Sequence, residues 1–463
     1  MYRREYRQIG IDPKETEKQK KTNLTFLGLG VVIVVLLTLL LASSITFNNY
    51  INRKGPTTEV LVLTVVDTFL TIGDNTFPAK FLLGSGQYWE SRNGIMTVYV
   101  SAEEVAQLKL VLSNNFSDGQ PSLLHAYGLL SPPTQDGISF LSAPPVAPGR
   151  KGYSCWNLRS SDLPNQEGSF LLQGSYGFQN NMGVNAPLVI RGDVPPRYPL
   201  ANKINRATEV LLYLQDACPT LPGFPEYDCN HTSILSHVNE NPGSASSIVY
   251  KYFLANGQTV ESPHRVALPN KGTYIRMRII NAASATNFFV SFPFNVTLFE
   301  TDANLCNGFV TDKLWVAMGQ RLDVLMTFSQ QGSFPIVANA AGNDPNARAV
   351  MWLDARQAQI NATLPPSVAP GSMGWGSELN LSAFENFPNA TVEVSLALEL
   401  TSQGDYLLFN GNKFLLPPFS PPPLIANPNP LILRYGKRAN VRIINQDSED
   451  HTVNTLSPSF FFL

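Results

Sequence analysis

The sequence predicts an all-β protein made of repeated β-sandwiches that follow an N-terminal transmembrane helix. Short apolar runs rich in β-branched residues, such as residues 60–66 and 96–100, are bounded by turn residues, as strands are. The chain contains 35 prolines and 32 glycines, which fits many strands joined by turns. One long uncharged segment, residues 24–47, lies near the N-terminus. A length of 463 residues allows about three domains of ordinary size.

The uncharged segment predicts a membrane anchor. As a helix it is long enough to cross roughly 30 Å of hydrocarbon. The alternative is a cleaved signal peptide, but such peptides have apolar cores of about 7–15 residues and a small-residue cleavage site. The positively charged residues lie mainly before the span, in residues 1–23. The positive-inside rule then predicts a single-pass membrane protein with a cytosolic N-terminus and the bulk of the chain extracellular or luminal.

That location predicts disulfides and glycosylation. An oxidising compartment favours disulfides, and Cys218 and Cys229 are close enough in sequence to link one loop. Elimination leaves Cys155 to pair with Cys306. Six Asn-x-Ser/Thr sequons fit luminal exposure, and they begin at Asn115, Asn230, Asn295, Asn361, Asn380 and Asn389.

An internal repeat predicts three copies of one β-domain. Each copy contains an Asn-Gly turn followed by a strand that ends in Asn. The turns lie at 93–94, 256–257 and 410–411, and the strands at 108–114, 275–281 and 441–445. We therefore predict a cytosolic tail (1–23), a transmembrane helix (24–47), a first β-domain (58–195), a second (200–360), a linker (361–384) and a partial third domain (385–463).

Charge excludes one class of partner. The formal net charge is −2, so no basic field predicts nucleic-acid binding. The sequence identifies neither a ligand or protein partner nor an oligomeric state.

Three stretches of the second predicted domain resemble one enzyme family. Residues 274–282 read Tyr-Ile-Arg-Met-Arg-Ile-Ile-Asn-Ala, residues 299–303 read Phe-Glu-Thr-Asp-Ala, and residues 318–325 read Met-Gly-Gln-Arg-Leu-Asp-Val-Leu. In this order they resemble the multicopper oxidases, the family of laccases, ascorbate oxidases and ferroxidases. The resemblance extends over about residues 58–463. It implies tandem cupredoxin-like (plastocyanin-like) Greek-key sandwiches, copper cofactors, and oxidation of a small reductant by O₂.

The first two copper motifs of the family are degenerate in this chain. Where the family has His-Trp-His-Gly, the sequence reads His-Ala-Tyr-Gly, so that His125 matches a type-2 copper ligand and Tyr127 replaces a type-3 ligand. Where the family has His-Ser-His, the chain has Gln173 and Ser175 in place of the two histidines.

The C-terminal motif is also degenerate. By resemblance His451 matches a type-1 ligand, while Asn454 and Leu456 occupy a type-2 and a type-3 position. The family's fourth motif, His-Cys-His, would lie beyond Leu463. Both a fragmentary sequence and a real truncation would explain this, and we favour the first.

Counting ligands predicts loss of catalysis. The family's trinuclear cluster uses eight histidines, and the chain has five in total. Imidazole and thiolate are the side chains that hold copper well. We therefore predict a catalytically inactive, multicopper-oxidase-like pseudoenzyme that acts as a binding or structural module, with copper absent or substoichiometric. His125 and His451 are then former ligands satisfied by hydrogen bonds, or residual metal positions. The alternative is a copper-dependent oxidoreductase that oxidises phenols or metal ions with O₂.

Overall fold

A computed structural model describes most of the chain between residues 57 and 355 and several strands beyond it. The described ranges are 57–131, 133–139, 142–158, 167–241, 247–268, 273–327, 331–341 and 346–355, with 392–403, 406–409, 412–413 and 438–446. The statements below concern these residues.

Nine strands form the first sandwich. They are β1 (Thr57–Ile72), β2 (Asn75–Ser85), β3 (Trp89–Arg92), β4 (Ile95–Ser101), β5 (Val105–Asn115), β6 (Leu124–Tyr127), β7 (Lys151–Asn157), β8 (Gly168–Gly174) and β9 (Asn185–Arg191). One sheet has the order β2-β1-β5-β7 and the other β3-β4-β9-β8-β6. Alternate residues of β1, such as Leu61, Leu63 and Val65, are fully buried, as expected for a strand with one face on the core.

The second sandwich contains nine strands and two short helices. Its elements are α1 (Ala201–Ile204), β10 (Thr208–Thr220), α2 (His231–Glu240), β11 (Val249–Ala255), β12 (His264–Leu268), β13 (Tyr274–Asn281), β14 (Phe288–Thr301), β15 (Asn304–Val316), β16 (Arg321–Thr327), β17 (Gly332–Ala340) and β18 (Arg348–Ala355). The nine strands form one sheet of order β11-β10-β13-β16-β14-β17-β18-β12, with β15 paired to β14. Because β14 pairs with β15, β16 and β17, the sheet folds over a shared core that includes Phe288 and Val290. One-turn 3₁₀ helices at Pro133–Gln135 and Pro225–Tyr227 complete the two sandwiches.

Four further strands form a separate sheet. They are β19 (Val392–Gln403), β20 (Tyr406–Phe409), β21 (Asn412–Lys413) and β22 (Arg438–Asn445), in the order β21-β20-β19-β22.

The same strand arrangement occurs three times. The strand that ends in Asn always runs parallel to an earlier strand of its own unit: β5 beside β1, β13 beside β10, and β22 beside β19. In each unit the earlier strand also pairs antiparallel with the strand that follows it, β2, β11 or β20. The all-β prediction is confirmed, whereas the exact segment boundaries given above remain predictions.

The predicted membrane anchor and single-pass localisation require correction. A spanning helix takes about 20 apolar residues, and within the described ranges no helix is long and apolar enough to cross a bilayer. The longest helix there, α2, has 10 residues. Residues 1–47, which carry the predicted tail and span, lie outside the described residues. The localisation is therefore withdrawn.

The cysteine pairing also differs in part from the sequence prediction. Cys218 and Cys229 form a disulfide. Cys155 and Cys306 are free thiols, contrary to the pairing by elimination. The physical reason is their placement, since Cys155 lies on β7 of the first sandwich and Cys306 lies buried on β15 of the second.

Candidate functional site

His125 is a buried histidine with a fixed orientation. Its Nδ1 lies 2.6 Å from the backbone oxygen of Asp136, and a carbonyl can only accept, so Nδ1 carries the proton. The neutral ring then presents its lone pair at Nε2. Burial lowers the pKa of His125, and nearby Arg321 lowers it further, although Asp136 opposes both. Asp136 is itself fixed by a 2.9 Å hydrogen bond from the Ser131 hydroxyl.

Strand pairing brings the four candidate positions of the first sandwich together. β6 and β8 are antiparallel neighbours, with His125 opposite Gln173. Side chains two residues apart on a strand point to the same face. Tyr127 therefore shares the face of His125 and Gln173, and Ser175 lies two residues after Gln173, directly beyond the end of β8.

The three replacement side chains bond to the protein itself. Gln173 Nε2 donates to the Tyr127 hydroxyl at 3.0 Å. Ser175 Oγ donates to the backbone oxygen of Gly137 at 2.6 Å and accepts from the Ser139 amide at 3.1 Å. Burial raises the pKa of Tyr127, so its hydroxyl stays protonated. These polar groups are thus satisfied without a metal ion.

The donor set on this face does not fit the family's copper cluster. It offers one imidazole, one phenol, one carboxamide and one hydroxyl, and the last three are poor copper ligands. Over the described ranges, no group of three or more His, Cys, Asp or Glu side chains could hold a metal ion. The remaining candidate positions, His451, Asn454 and Leu456, lie outside the described residues.

A buried ion cluster in the second sandwich was not predicted as a site. Arg276 Nε donates to Asp323 Oδ2 at 2.7 Å, and its Nη2 donates to Glu300 Oε2 at 2.9 Å. Arg278 Nη1 donates to the same Asp323 oxygen at 2.9 Å, and its Nη2 donates to Glu209 Oε1 at 2.6 Å. Four of these five residues lie in the stretches that resemble the multicopper oxidases, and none of the five was predicted to form a site. The sequence signal for this cluster is the presence of charged residues within otherwise apolar strands. A charge that is buried in such a strand needs an oppositely charged partner, so these residues indicate buried ion pairs.

The cluster bridges the two sandwiches. Ser169, on β8 of the first sandwich, donates its hydroxyl to Asp323 Oδ1 at 2.7 Å. Tyr99, on β4, donates to Glu209 Oε2 at 2.5 Å. Arg321 Nε donates to the backbone oxygen of Ser169 at 3.2 Å. Polar groups from both sandwiches therefore complete one network.

The carboxylates of the cluster differ in pKa. Burial raises the pKa of Glu209, but Arg278 and Arg276 outweigh burial and lower it to about 2. Burial and the neighbouring charge of Asp323 raise the pKa of Glu300 to about 7, against the opposing effect of Arg276. Oε1 of Glu300 is buried and has no hydrogen-bond partner in the structure. Glu300 therefore holds a proton at mildly acidic pH, while Glu209 stays ionised.

One glycine of the histidine motif, Gly128, leaves the space that the Arg321 side chain occupies beside this cluster. Gly128, the last residue of the His-Ala-Tyr-Gly stretch, has φ +82°, and a Cβ there would lie 2.0 Å from Arg321 Nη2. A side chain at this position would thus displace Arg321. The glycine of the motif has a packing function that does not depend on copper.

Three of the six predicted sequons lie in described segments. Asn115, Asn230 and Asn295 are all exposed. Asn230 also caps α2, because its side chain accepts a hydrogen bond from the Ser233 amide at 3.1 Å. Asn361, Asn380 and Asn389 lie outside the described residues. Glycosylation remains a prediction.

Comparison with known proteins identifies the relationship. Residues 228–357 match the family model described as multicopper oxidase. Copper resistance protein A of Pseudomonas syringae pv. tomato is 25% identical over 287 residues, which cover 55% of this chain and 45% of that protein. A laccase of Cryphonectria parasitica is 24% identical over 235 residues, covering 48% of this chain and 35% of the laccase. The chain thus spans less than half the length of both curated relatives.

A solved structure shares the fold. The crystal structure of Fet3p, a multicopper oxidase that functions in iron import, aligns with a TM-score of 0.60 and 15% sequence identity. The alignment covers 78% of this chain and 65% of the other. Identity this low supports the shared architecture alone. The matched domain at residues 228–357 confirms the resemblance that the sequence motifs predicted.

Proposed function

We propose that this chain, whose resemblance to the multicopper oxidase family is confirmed, is a non-catalytic binding or structural module. The observation that carries the proposal is the set of side chains at the four candidate positions on β6, on β8 and directly after β8. Only His125 is an imidazole there, and Tyr127, Gln173 and Ser175 are hydrogen-bonded within the protein.

The chemistry of the family supports this proposal. Reduction of O₂ to water takes four electrons, which the family supplies through a cluster held by many histidines. A phenol, a carboxamide and a hydroxyl do not replace imidazoles as copper ligands. Restoring copper chemistry at this face would require at least three substitutions, and each would also break an existing hydrogen bond.

The ion cluster between the sandwiches suits a module that must keep its shape. Removing one partner from a buried, hydrogen-bonded charge pair is strongly destabilising, because it leaves an uncompensated charge. The two sandwiches thus present their surfaces in a fixed relation to each other, which favours a scaffold or a binding protein.

A copper-dependent oxidoreductase is the second candidate, and one observation favours it. Metal-binding histidines commonly donate the second ring N–H to a carboxylate or a backbone carbonyl. His125 makes this bond to Asp136, and its lowered pKa keeps the ring neutral. His125 would then offer Nε2 as one ligand to a copper ion.

Copper content tests the two candidates. The full-length chain is incubated with Cu²⁺, loosely bound metal is removed, and copper per chain is measured beside oxygen uptake with a phenol or ferrous iron. A value near zero without oxygen uptake supports the module. A value of about three or four, with oxygen uptake, would overturn it.

A matched pair of variants identifies a single bound ion. His125→Ala removes the candidate ligand, and His264→Ala removes a half-exposed histidine on β12 as the control. A copper ion lost only in His125→Ala would locate a residual site at β6.

A further inference from the structure

A polar cleft opens at one edge of the first sandwich. It has a volume of about 520 Å³ and lies between the β3–β4 hairpin, the turn after β4 and the end of β9. In the sheet order β3-β4-β9-β8-β6, this edge is opposite the strand that carries His125. The cleft is therefore distinct from the candidate copper positions. Its size lies within the usual range for small-molecule sites.

The lining excludes an apolar ligand. Side chains that face the cleft include Gln87, Ser101, Arg191 and Asp193. An apolar molecule would remove these groups from water without replacing their hydrogen bonds, which costs free energy. A ligand for this cleft must itself donate and accept hydrogen bonds.

The charges in the cleft disfavour an anionic ligand, because the lining carries four carboxylates and two guanidiniums. Arg92 is already paired with Glu90, its Nε donating to Oε1 at 2.6 Å. The guanidinium of Arg92 also stacks on the ring of Tyr99, at 3.8 Å from its centroid. The lining thus combines guanidinium donors with a larger number of carboxylate acceptors. Hydroxyl groups, which donate and accept at once, match such a mixture.

Tyr88 gives the cleft a fixed aromatic element. Its ring is half-buried and packs on the core of the first sandwich. Tyrosine supplies rigid amphipathic contact area at a low cost in conformational entropy. An aromatic ring beside carboxylate, amide and guanidinium groups suits a molecule with an apolar ring face and polar edges, such as a sugar.

We propose that this cleft binds a neutral saccharide of one or two sugar units, with Tyr88 against the sugar ring and with Gln87, Arg191 and Asp193 bonded to its hydroxyls. This ligand class specifies the binding role proposed above, and it rests on that proposal. Tyr99 lies in the same cleft and donates to Glu209 of the interdomain cluster. Bound sugar therefore also stabilises the two-sandwich unit.

The test uses the full-length chain and a panel of glucose, galactose, mannose, N-acetylglucosamine, maltose and cellobiose. Saturation-transfer NMR detects binding, and calorimetry measures the unfolding temperature with and without sugar. We expect at least one sugar to bind with a dissociation constant on the order of 1 mM and to raise the unfolding temperature. Tyr88→Ala and Asp193→Asn should each weaken that binding about tenfold or more.

A matched control keeps the result interpretable. Tyr153→Ala removes a tyrosine that is 75% exposed on β7 of the other sheet, and it should leave sugar binding unchanged. Asp193 is exposed, so Asp193→Asn tests the cleft even if Tyr88→Ala fails to fold. No binding of any sugar at about 20 mM, binding of spermidine instead of sugars, or equal effects of the cleft and control variants would overturn the proposal. Copper content is measured separately, so either proposal can fail without the other.

Discussion

Asn256 donates a hydrogen bond from its side-chain Nδ2 to the backbone oxygen of Asn93, over 2.8 Å. Both residues begin an Asn-Gly turn, and both have positive φ. The same Nδ2 donates to the Leu211 oxygen at 2.8 Å, and Asn256 Oδ1 accepts from the Tyr213 amide at 2.7 Å. Two of the three turns that mark the sequence repeat therefore contact each other where the two sandwiches meet.

Asn256→Ala tests this contact. Asn256 is 2% exposed, so the substitution leaves one buried amide and two carbonyls without this partner. It also places alanine at φ +50°. We expect a loss of about 3–5 kcal/mol in the free energy of unfolding, measured by urea denaturation.

Asn295→Ala is the control for that measurement. Asn295 is exposed on β14, and in protein made without glycans its substitution should change stability by less than about 0.5 kcal/mol. Equal losses in the two variants would contradict a special role of Asn256.

Arg278→Met tests the ion cluster between the sandwiches. Arg278 is buried between Asp323 and Glu209, so its loss leaves two carboxylates short of a partner. We expect destabilisation by about 3–5 kcal/mol. Because the cluster includes residues of both sandwiches, calorimetry should also resolve separate unfolding transitions in the variant.

Arg265→Met provides the matched comparison. Arg265 makes a similar two-bond pair with Asp354, but its side chain is 51% exposed. Exposed pairs contribute about 0–1 kcal/mol, so this variant should unfold nearly as the parent does. A similar effect of the two substitutions would show that burial of the cluster adds nothing.

Gly128→Ala tests the packing of the His-Ala-Tyr-Gly motif. Its Cβ would meet Arg321, whereas a Cβ at Gly73, with φ +57°, would meet nothing within 4 Å. Gly73→Ala should therefore cost only the backbone strain of about 1–2 kcal/mol. Gly128→Ala should cost about 1–3 kcal/mol more. Thermal unfolding compares the two, and equal shifts would exclude a packing role for Gly128.

The raised pKa of Glu300 predicts that the free energy of unfolding depends on pH. Its pKa rises from 4.5 to about 7 on folding, mainly through burial and then through Asp323. The folded state then binds the proton more tightly than the unfolded state. The stabilisation is complete below about pH 4.5 and is lost as the pH rises through 7, with a slope of at most about 1.4 kcal/mol per pH unit.

Glu300→Gln isolates this contribution. The neutral amide mimics the protonated carboxyl, so the difference in stability between the variant and the parent should grow in favour of the variant from pH 4.5 to 7. The other titratable groups are the same in both proteins, so their contributions cancel in the difference. A difference that is constant with pH would refute the assigned protonation of Glu300.

The sequence predicted what depends on local pattern. Apolar runs rich in β-branched residues identified strands such as β1, and the repeated Asn at the end of a strand identified the recurring units. The face shared by His125 and Gln173 followed only once β6 and β8 were paired. The contact that joins the ion cluster to the first sandwich could not be predicted, because Tyr99 and Glu209 lie 110 residues apart in sequence and no local pattern connects them.

The errors have equally physical origins. Pairing Cys155 with Cys306 assumed that any two remaining cysteines can approach each other, whereas each is fixed in a different sandwich. The membrane anchor rested on the length and hydropathy of residues 24–47 and on the positive charges before them, and these residues lie outside the described part of the chain. Hydropathy measures the free-energy cost of exposing a segment to water. By itself it does not distinguish a segment that lies in a lipid bilayer from one that packs within a protein.

The parallel pairs at the start of each unit affect how the protein is made. Thr208 at the start of β10 pairs with Ile275 of β13, 67 positions further along the chain. A ribosome therefore releases β10 well before its parallel partner exists. Contacts so distant in sequence slow folding, and an unpaired strand edge can meanwhile associate with another chain. Each repeated unit thus has an interval during synthesis when chaperone binding would protect its first strand.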